Sequence, residues 1–298
     1  MRALILFTIA LAASGGAAWA HGSAPVRTGA GWTFDPWIVA PLLAAALFYA
    51  GGSLILSRRA RHHAAGLLRR LAFWSGWLTL AAALVSPLHW LGEHLFTFHM
   101  IEHEILMAVS APLIVAARPL GTLLWALPRS ARRWSGHALN RPLMRSTWSW
   151  LVRGGNATLL HGAAIWAWHV PVLFDAAVDH VALHRLQHLS FFGTAVLFWW
   201  AVLWRSEAGA AAWHVVVTML HTSVLGALMA LAPRVLYTAQ TATSATWGLT
   251  PLEDQQLAGL IMWVPAGTIY AGAALALIIV WIKNSSRKAR QSHALNAV

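Results

Sequence analysis

WIVAPLLAAALFYAGGSLIL, residues 37–56, is a run of twenty residues without a charge, and Arg58, Arg59 and Arg61 follow it at once. About 20 apolar residues in a helix cross the hydrocarbon core of a bilayer. Inside that core only a helix or a closed barrel satisfies its own backbone. The stretch reads as a transmembrane helix whose arginine cluster holds its end in the cytoplasm. Six further apolar runs follow the same logic, at about residues 71–88, 99–117, 154–171, 184–204, 210–231 and 255–282. Of 21 Lys and Arg, this map puts 17 in cytoplasmic segments; Arg27, Arg185 and Arg234 fall outside and Arg2 in a leader. Glu207 is the one acidic residue on the cytoplasmic side, and Trp37, Trp90, Trp204 and Trp281 mark span ends as an interfacial belt. The predicted fold is all-α, a polytopic bundle of about seven spans in a bacterial plasma membrane. Its N-terminus is periplasmic and its C-terminus cytoplasmic.

The composition agrees. The chain is 58% hydrophobic and 10% charged, against roughly 25% charged in soluble domains, so most of it never meets water. The formal charge of +12 does not indicate nucleic acid, because the basic residues lie between apolar runs on one side. Arg2, the apolar run Ala3 to Ala13 and Ala18-Trp19-Ala20 read as a cleavable signal peptide over residues 1–20. A short periplasmic segment (21–36), the membrane domain (37–282) and a basic, disordered cytoplasmic tail (283–298) follow. Leu120 to Leu127 is apolar but too short to span, and is expected at the interface.

There is no cysteine, so any metal must be held by His, Met, carboxylate or backbone. Sixteen histidines are available, and imidazoles in or beside membrane helices mark function by default. His99 and His103 are four residues apart in His-Met-Ile-Glu-His. That spacing puts both on one helix face, about 6 Å apart along the axis, within reach of one ion. His184 and His188 repeat it at the mouth of the fifth run, and His169 ends the fourth. Glu102 is suited to orient a ligating ring. Met262, two turns into the last span, adds a thioether, as do Met100 and Met107, and the set favours copper. The expected metal ligands are His99, His103, His184, His188, His169 and Met262, on the periplasmic side. Glu93, Glu102, Asp175, Asp179, Glu253 and Asp254 are expected to give that mouth a negative potential that attracts a cation or a basic copper donor. His21, a free N-terminus after cleavage, is a lesser copper candidate. His161 and His221 sit near span centres, where helix–helix hydrogen bonding explains them as well as a ligand path does.

Other readings use the same residues. His99 to His103 also fits the inverted zinc-peptidase pattern H-x-x-E-H, but nothing in the sequence suggests a peptide cleft. A bis-His haem could be held between His103 and His188. A scaffold protein could use the polar cluster for helix packing alone.

The His99–His103 run, followed by Ala111-Pro112-Leu113 and Arg118-Pro119-Leu120, resembles the third-span signature of the CtaG-type cytochrome c oxidase assembly factors, the polytopic membrane type. The blocks Trp166 to Pro171, His184 to His188 running into Leu197 to Trp200, and Asp254 to Trp263 are similar to the blocks that follow in that family. The resemblance covers about residues 35–282. It implies a non-enzymatic membrane protein needed to mature a haem-copper oxidase, partnered by an oxidase subunit, a periplasmic copper donor and membrane lipid. It does not extend to the single-span, thiol-bearing copper chaperone of the same name.

Overall fold

The computed structural model describes residues 31–58 and 64–296. The leader, His21, Arg27, Arg59 and Arg61 lie outside the described residues. The described chain is helical and has no strand. In order, its helices are α1 (Pro36–Ser57), α2 (Ala64–Val85), α3 (Pro87–Gly92), α4 (Phe96–Glu104), a π-helical segment (Ile105–Ser110), α5 (Ala111–Ala116), α6 (Pro119–Trp125), α7 (Arg129–Leu139), α8 (Pro142–Leu151), α9 (Gly154–Trp168), α10 (Pro171–Asp179), α11 (Val181–Trp204), α12 (Ala208–Ala230) and α13 (Pro251–Asn296).

Among the described residues, five stretches are long and apolar enough to cross a membrane: Pro36–Ser57, Phe96–Ala116, Val181–Trp204, Ala208–Ala230 and Pro251–Arg287. A sixth forms if α9 and α10 are counted as one bent span. Helix α2 has the length of a seventh, with Arg69 and Arg70 in its second turn. The fourth run, expected over 154–171, ends as a helix at Trp168, three residues short of its expected end. It breaks after Trp168 and bends by 74° into α10. Pro171 supplies the reason: proline disfavours a helical residue before it, and Val170 is extended, with ψ 122°. The tail departs from expectation too. Residues 283–296 continue α13 instead of being disordered.

Helix-to-helix contact relies on small residues, since lipid tails compete equally for apolar side chains. A Cβ on Gly226 would lie 2.8 Å from the Gly259 carbonyl oxygen, and one on Gly259 would lie 2.6 Å from the Gly226 carbonyl oxygen. The α12–α13 seam is therefore backbone on backbone. Leu at Gly259 should lower stability by about 3 kcal/mol, read as a drop in the midpoint of thermal unfolding in detergent. An unchanged midpoint would mean that the seam opens without cost.

Polar ties fix the end of the bundle remote from Arg118 and Arg205. Asp35 caps α1 through the Trp37 amide at 3.0 Å and accepts from Arg185 Nη2 of α11 at 2.8 Å. The N-cap of helix α4 is Leu95, which offers no side-chain cap. Its first amides are met instead from α13: Phe96 N–H and Thr97 N–H donate to the Asp254 carboxylate at 2.8 and 2.9 Å. At the opposite end, Arg118 takes a left-handed conformation (φ 51°) before Pro119, and its guanidinium lies 3.5 Å from the centroid of the Trp204 ring. Helix α6 then packs on α1, where a Cβ on Gly52 would collide with the Thr122 carbonyl.

Candidate metal centre

Helices α4 and α11 each present an i,i+4 histidine pair, and the bundle sets the two pairs against each other. Ring centroids are 4.3 Å apart for His99 and His103, and 4.4 Å for His184 and His188. Across the interface, His99 stacks on His184 at 5.5 Å and His103 meets His188 at 4.9 Å. The His103 and His188 Nε2 atoms stand 3.2 Å apart, at hydrogen-bond distance. His99, His103 and His188 can each offer a ring nitrogen within 4.8 Å of the other two. His184 flanks this group, touching His99, His188 and His89.

The remaining expected residues are placed differently. His169 is 3% exposed and donates from Nδ1 to the Ile165 carbonyl at 2.7 Å, which leaves Nε2 as a buried lone pair with no hydrogen-bond partner among the described residues. The Phe191 ring packs on both His103 and His169. Met262 is buried in the α12–α13 seam with its Cβ against Gly226.

Behind the imidazoles lies Glu102, fully buried. Its Oε1 accepts from His89 Nδ1 at 2.8 Å and stands 3.6 Å from His188 Nδ1. A carboxylate on the outer nitrogen of an imidazole fixes the ring and raises its basicity as a ligand. His89, from the short helix α3 beyond the end of α2, was not picked out from the sequence. Its one signal is the i,i+4 spacing to Glu93, whose carboxylate lies 3.7 Å from His89 Nε2. Burial works against a charge on His89, but Glu102, with Glu93 and Asp35, outweighs it and raises its pKa to about 9.

The sign of the linkage follows. A raised histidine pKa gives stability that is present in full below the unfolded value near 6.5 and lost as pH climbs through 9. The metal-free protein should therefore unfold at a lower temperature at pH 9.5 than at pH 6.5. His89→Gln should flatten that slope. A slope equal in both proteins would remove His89 from the account.

The acidic mouth is only partly present. Glu102 and Asp254 are buried rather than facing outward. Glu253 closes a capping box at the start of α13, accepting from Thr250 N–H at 2.7 Å while its own N–H donates to Thr250 Oγ1. Asp175 accepts from Thr238 Oγ1 at 3.2 Å. Below the site, the π-helical segment directly follows Glu104, and the Trp199 indole N–H meets the Met107 carbonyl there at 2.9 Å. Such π-turns recur at functional sites.

The sequence model of the cytochrome c oxidase caa3 assembly factor family (Caa3_CtaG) matches residues 47–284, which include every one of these imidazoles. The chain belongs to this family. Curated relatives include uncharacterized proteins of Mycobacterium bovis and Mycobacterium tuberculosis, each 26% identical over 276 residues and 87% of this chain. An uncharacterized protein of Mycobacterium leprae is 23% identical over 88% of it. The chain spans about 40% of the length of these relatives. No solved structure matches it. In this Caa3_CtaG member, then, the family-matched region contains the imidazole cluster, its carboxylate and the helices that carry them.

Proposed function

We propose that the protein binds a copper ion between α4 and α11 and passes it on during maturation of a haem-copper cytochrome c oxidase. His99, His103 and His188 are the primary ligands, His184 stands beside them, and Glu102 orients His188. His169 and Met262, the other expected ligands, belong to positions a copper ion would reach deeper in the bundle. The observation that carries the reading is the 3.2 Å separation of the His103 and His188 Nε2 atoms. Two ligand nitrogens at ~2.0 Å from one tetrahedral ion stand ~3.3 Å apart. Neutral imidazoles without thiolate suit copper over hard cations, and affinity order sets Cu(II) above Zn(II). The close pair also favours one small ion over a bis-His haem, whose axial imidazoles stand on opposite faces of a macrocycle.

Copper here is cargo and the protein is not an enzyme. The basic residues flank one end of the bundle, which by the positive-inside rule is cytoplasmic. The imidazoles lie buried nearer the other end, the periplasmic one, with the N-terminus periplasmic and the C-terminus cytoplasmic in a bacterial plasma membrane. A periplasmic donor then supplies the ion, and an oxidase subunit receives it. Metal analysis after loading the detergent-purified protein with copper tests the core of this reading. Stoichiometric copper that survives gel filtration is expected, and its absence would end the copper reading.

A further inference from the structure

The end of the molecule remote from the imidazoles carries a second surface. Between residues 105 and 174 the chain has seven arginines and no Asp or Glu. Two of the seven are occupied: Arg118 over Trp204, and Arg132 over Trp125 at 4.1 Å. The other five, Arg129, Arg133, Arg141, Arg145 and Arg153, are exposed, and no carboxylate pairs with them among the described residues. Helices α7 and α8 carry most of them, and neither buries a single residue.

The apolar residues of the same two helices are turned outward as well. Trp134, Leu143 and Trp150 are 51%, 71% and 53% exposed. On α7, at 100° per residue, Arg129, Arg132, Arg133 and His137 fall within an arc of about 140°, and Trp134 lies beyond its edge. Exposed tryptophan beside unneutralised arginine suits the headgroup layer of a bilayer. There the indole seats at the interface and the guanidinium meets phosphate. Helices α7 and α8 occupy that level, because they connect the end of α5 to the start of α9.

We propose that α7 and α8 form a binding surface for anionic phospholipid headgroups. Arg129 and Arg133 of α7, with Arg141 and Arg145 around the turn into α8, provide planar forks that hold a phosphate through two N–H groups each. Clusters of four to eight basic residues beside a membrane helix carry this recognition in general. The interleaved outward tryptophans decide for lipid over an acidic protein loop, which would leave the indoles uncovered.

The test uses the full chain, delipidated in neutral detergent and offered equal amounts of phosphatidylglycerol and phosphatidylcholine. Native mass spectrometry then counts the retained lipids. The parent protein should keep phosphatidylglycerol in preference, and added salt should weaken that preference. Arg→Gln at 129, 133, 141 and 145 should reduce it by about fivefold for each arginine removed. Arg→Lys at the same positions, which keeps the charge and loses the fork, should fall between the parent and the Gln protein. Equal retention of both lipids by the parent, no response to salt, or an undiminished preference in the Gln protein would each overturn the proposal. The first two need only the parent, so they hold even if the Gln protein folds poorly.

Discussion

Alanine at both His103 and His188 should leave the protein unable to retain copper through gel filtration, while Glu102→Gln should keep the ion but weaken it about 10- to 100-fold. The two changes act on different parts of one arrangement. His103 and His188 hold their Nε2 atoms 3.2 Å apart, and their loss removes two of the three converging ligands. Glu102 touches no ion in this scheme. It stands 3.6 Å from His188 Nδ1 and accepts from His89, so its amide analogue loosens the ring and lowers its donor strength. The geometry ranks the others as well. His184→Ala should cost less than either of the pair, because His184 flanks the three-residue group without belonging to it. His169→Ala should cost least among the histidines, with Phe191 packed on both it and His103. Affinity is read by competition with a chromophoric copper chelator. If the double alanine protein holds copper as the parent does, the site is elsewhere. If Glu102→Gln equals the double variant, Glu102 is itself a ligand.

What could be read from the sequence was what repeats along one helix. The apolar runs gave the spans because length and charge are local properties. The pairs His99–His103 and His184–His188 were visible because a helix puts i and i+4 on one face. That the pairs meet depends on the order of helices in the bundle, which no local pattern encodes. The same limit hid His89, which reaches Glu102 from thirteen residues upstream on a different helix. It also misplaced Glu102 and Asp254 at an open mouth, since a charged residue near a span end looks solvated until its partner is known. The end of the fourth run near Pro171 was legible, because proline disfavours a helical residue before it; that the chain then turns by 74° into a further helix was not. The helical tail shows the reverse error, in which a basic and polar composition was taken for disorder although nothing in residues 283–296 stops the helix.

Replacing Asp254 with alanine should destabilise the protein by about 4 kcal/mol, among the largest effects of any single change outside the imidazoles. Asp254 is fully buried. It accepts from the amides of Phe96 and Thr97, from Thr97 Oγ1 at 2.7 Å and from Ser244 Oγ at 2.7 Å. The first turn of α4 has no cap of its own, so this carboxylate, 158 residues away in sequence, satisfies its orphan donors and meets the positive end of the helix dipole. Alanine would leave those donors buried without a partner. Asparagine keeps one oxygen and should recover part of the loss. The consequence reaches the site, because His99 and His103 lie in the turns that Asp254 secures. Thermal unfolding in detergent gives the stability, and hydrogen exchange at the amides of residues 96–99 gives the local effect. The parent should protect those amides, the alanine protein should exchange them faster, and its copper affinity should fall with them. Parent-like stability together with parent-like protection would show that α4 holds its start without α13, and that the site owes nothing to Asp254.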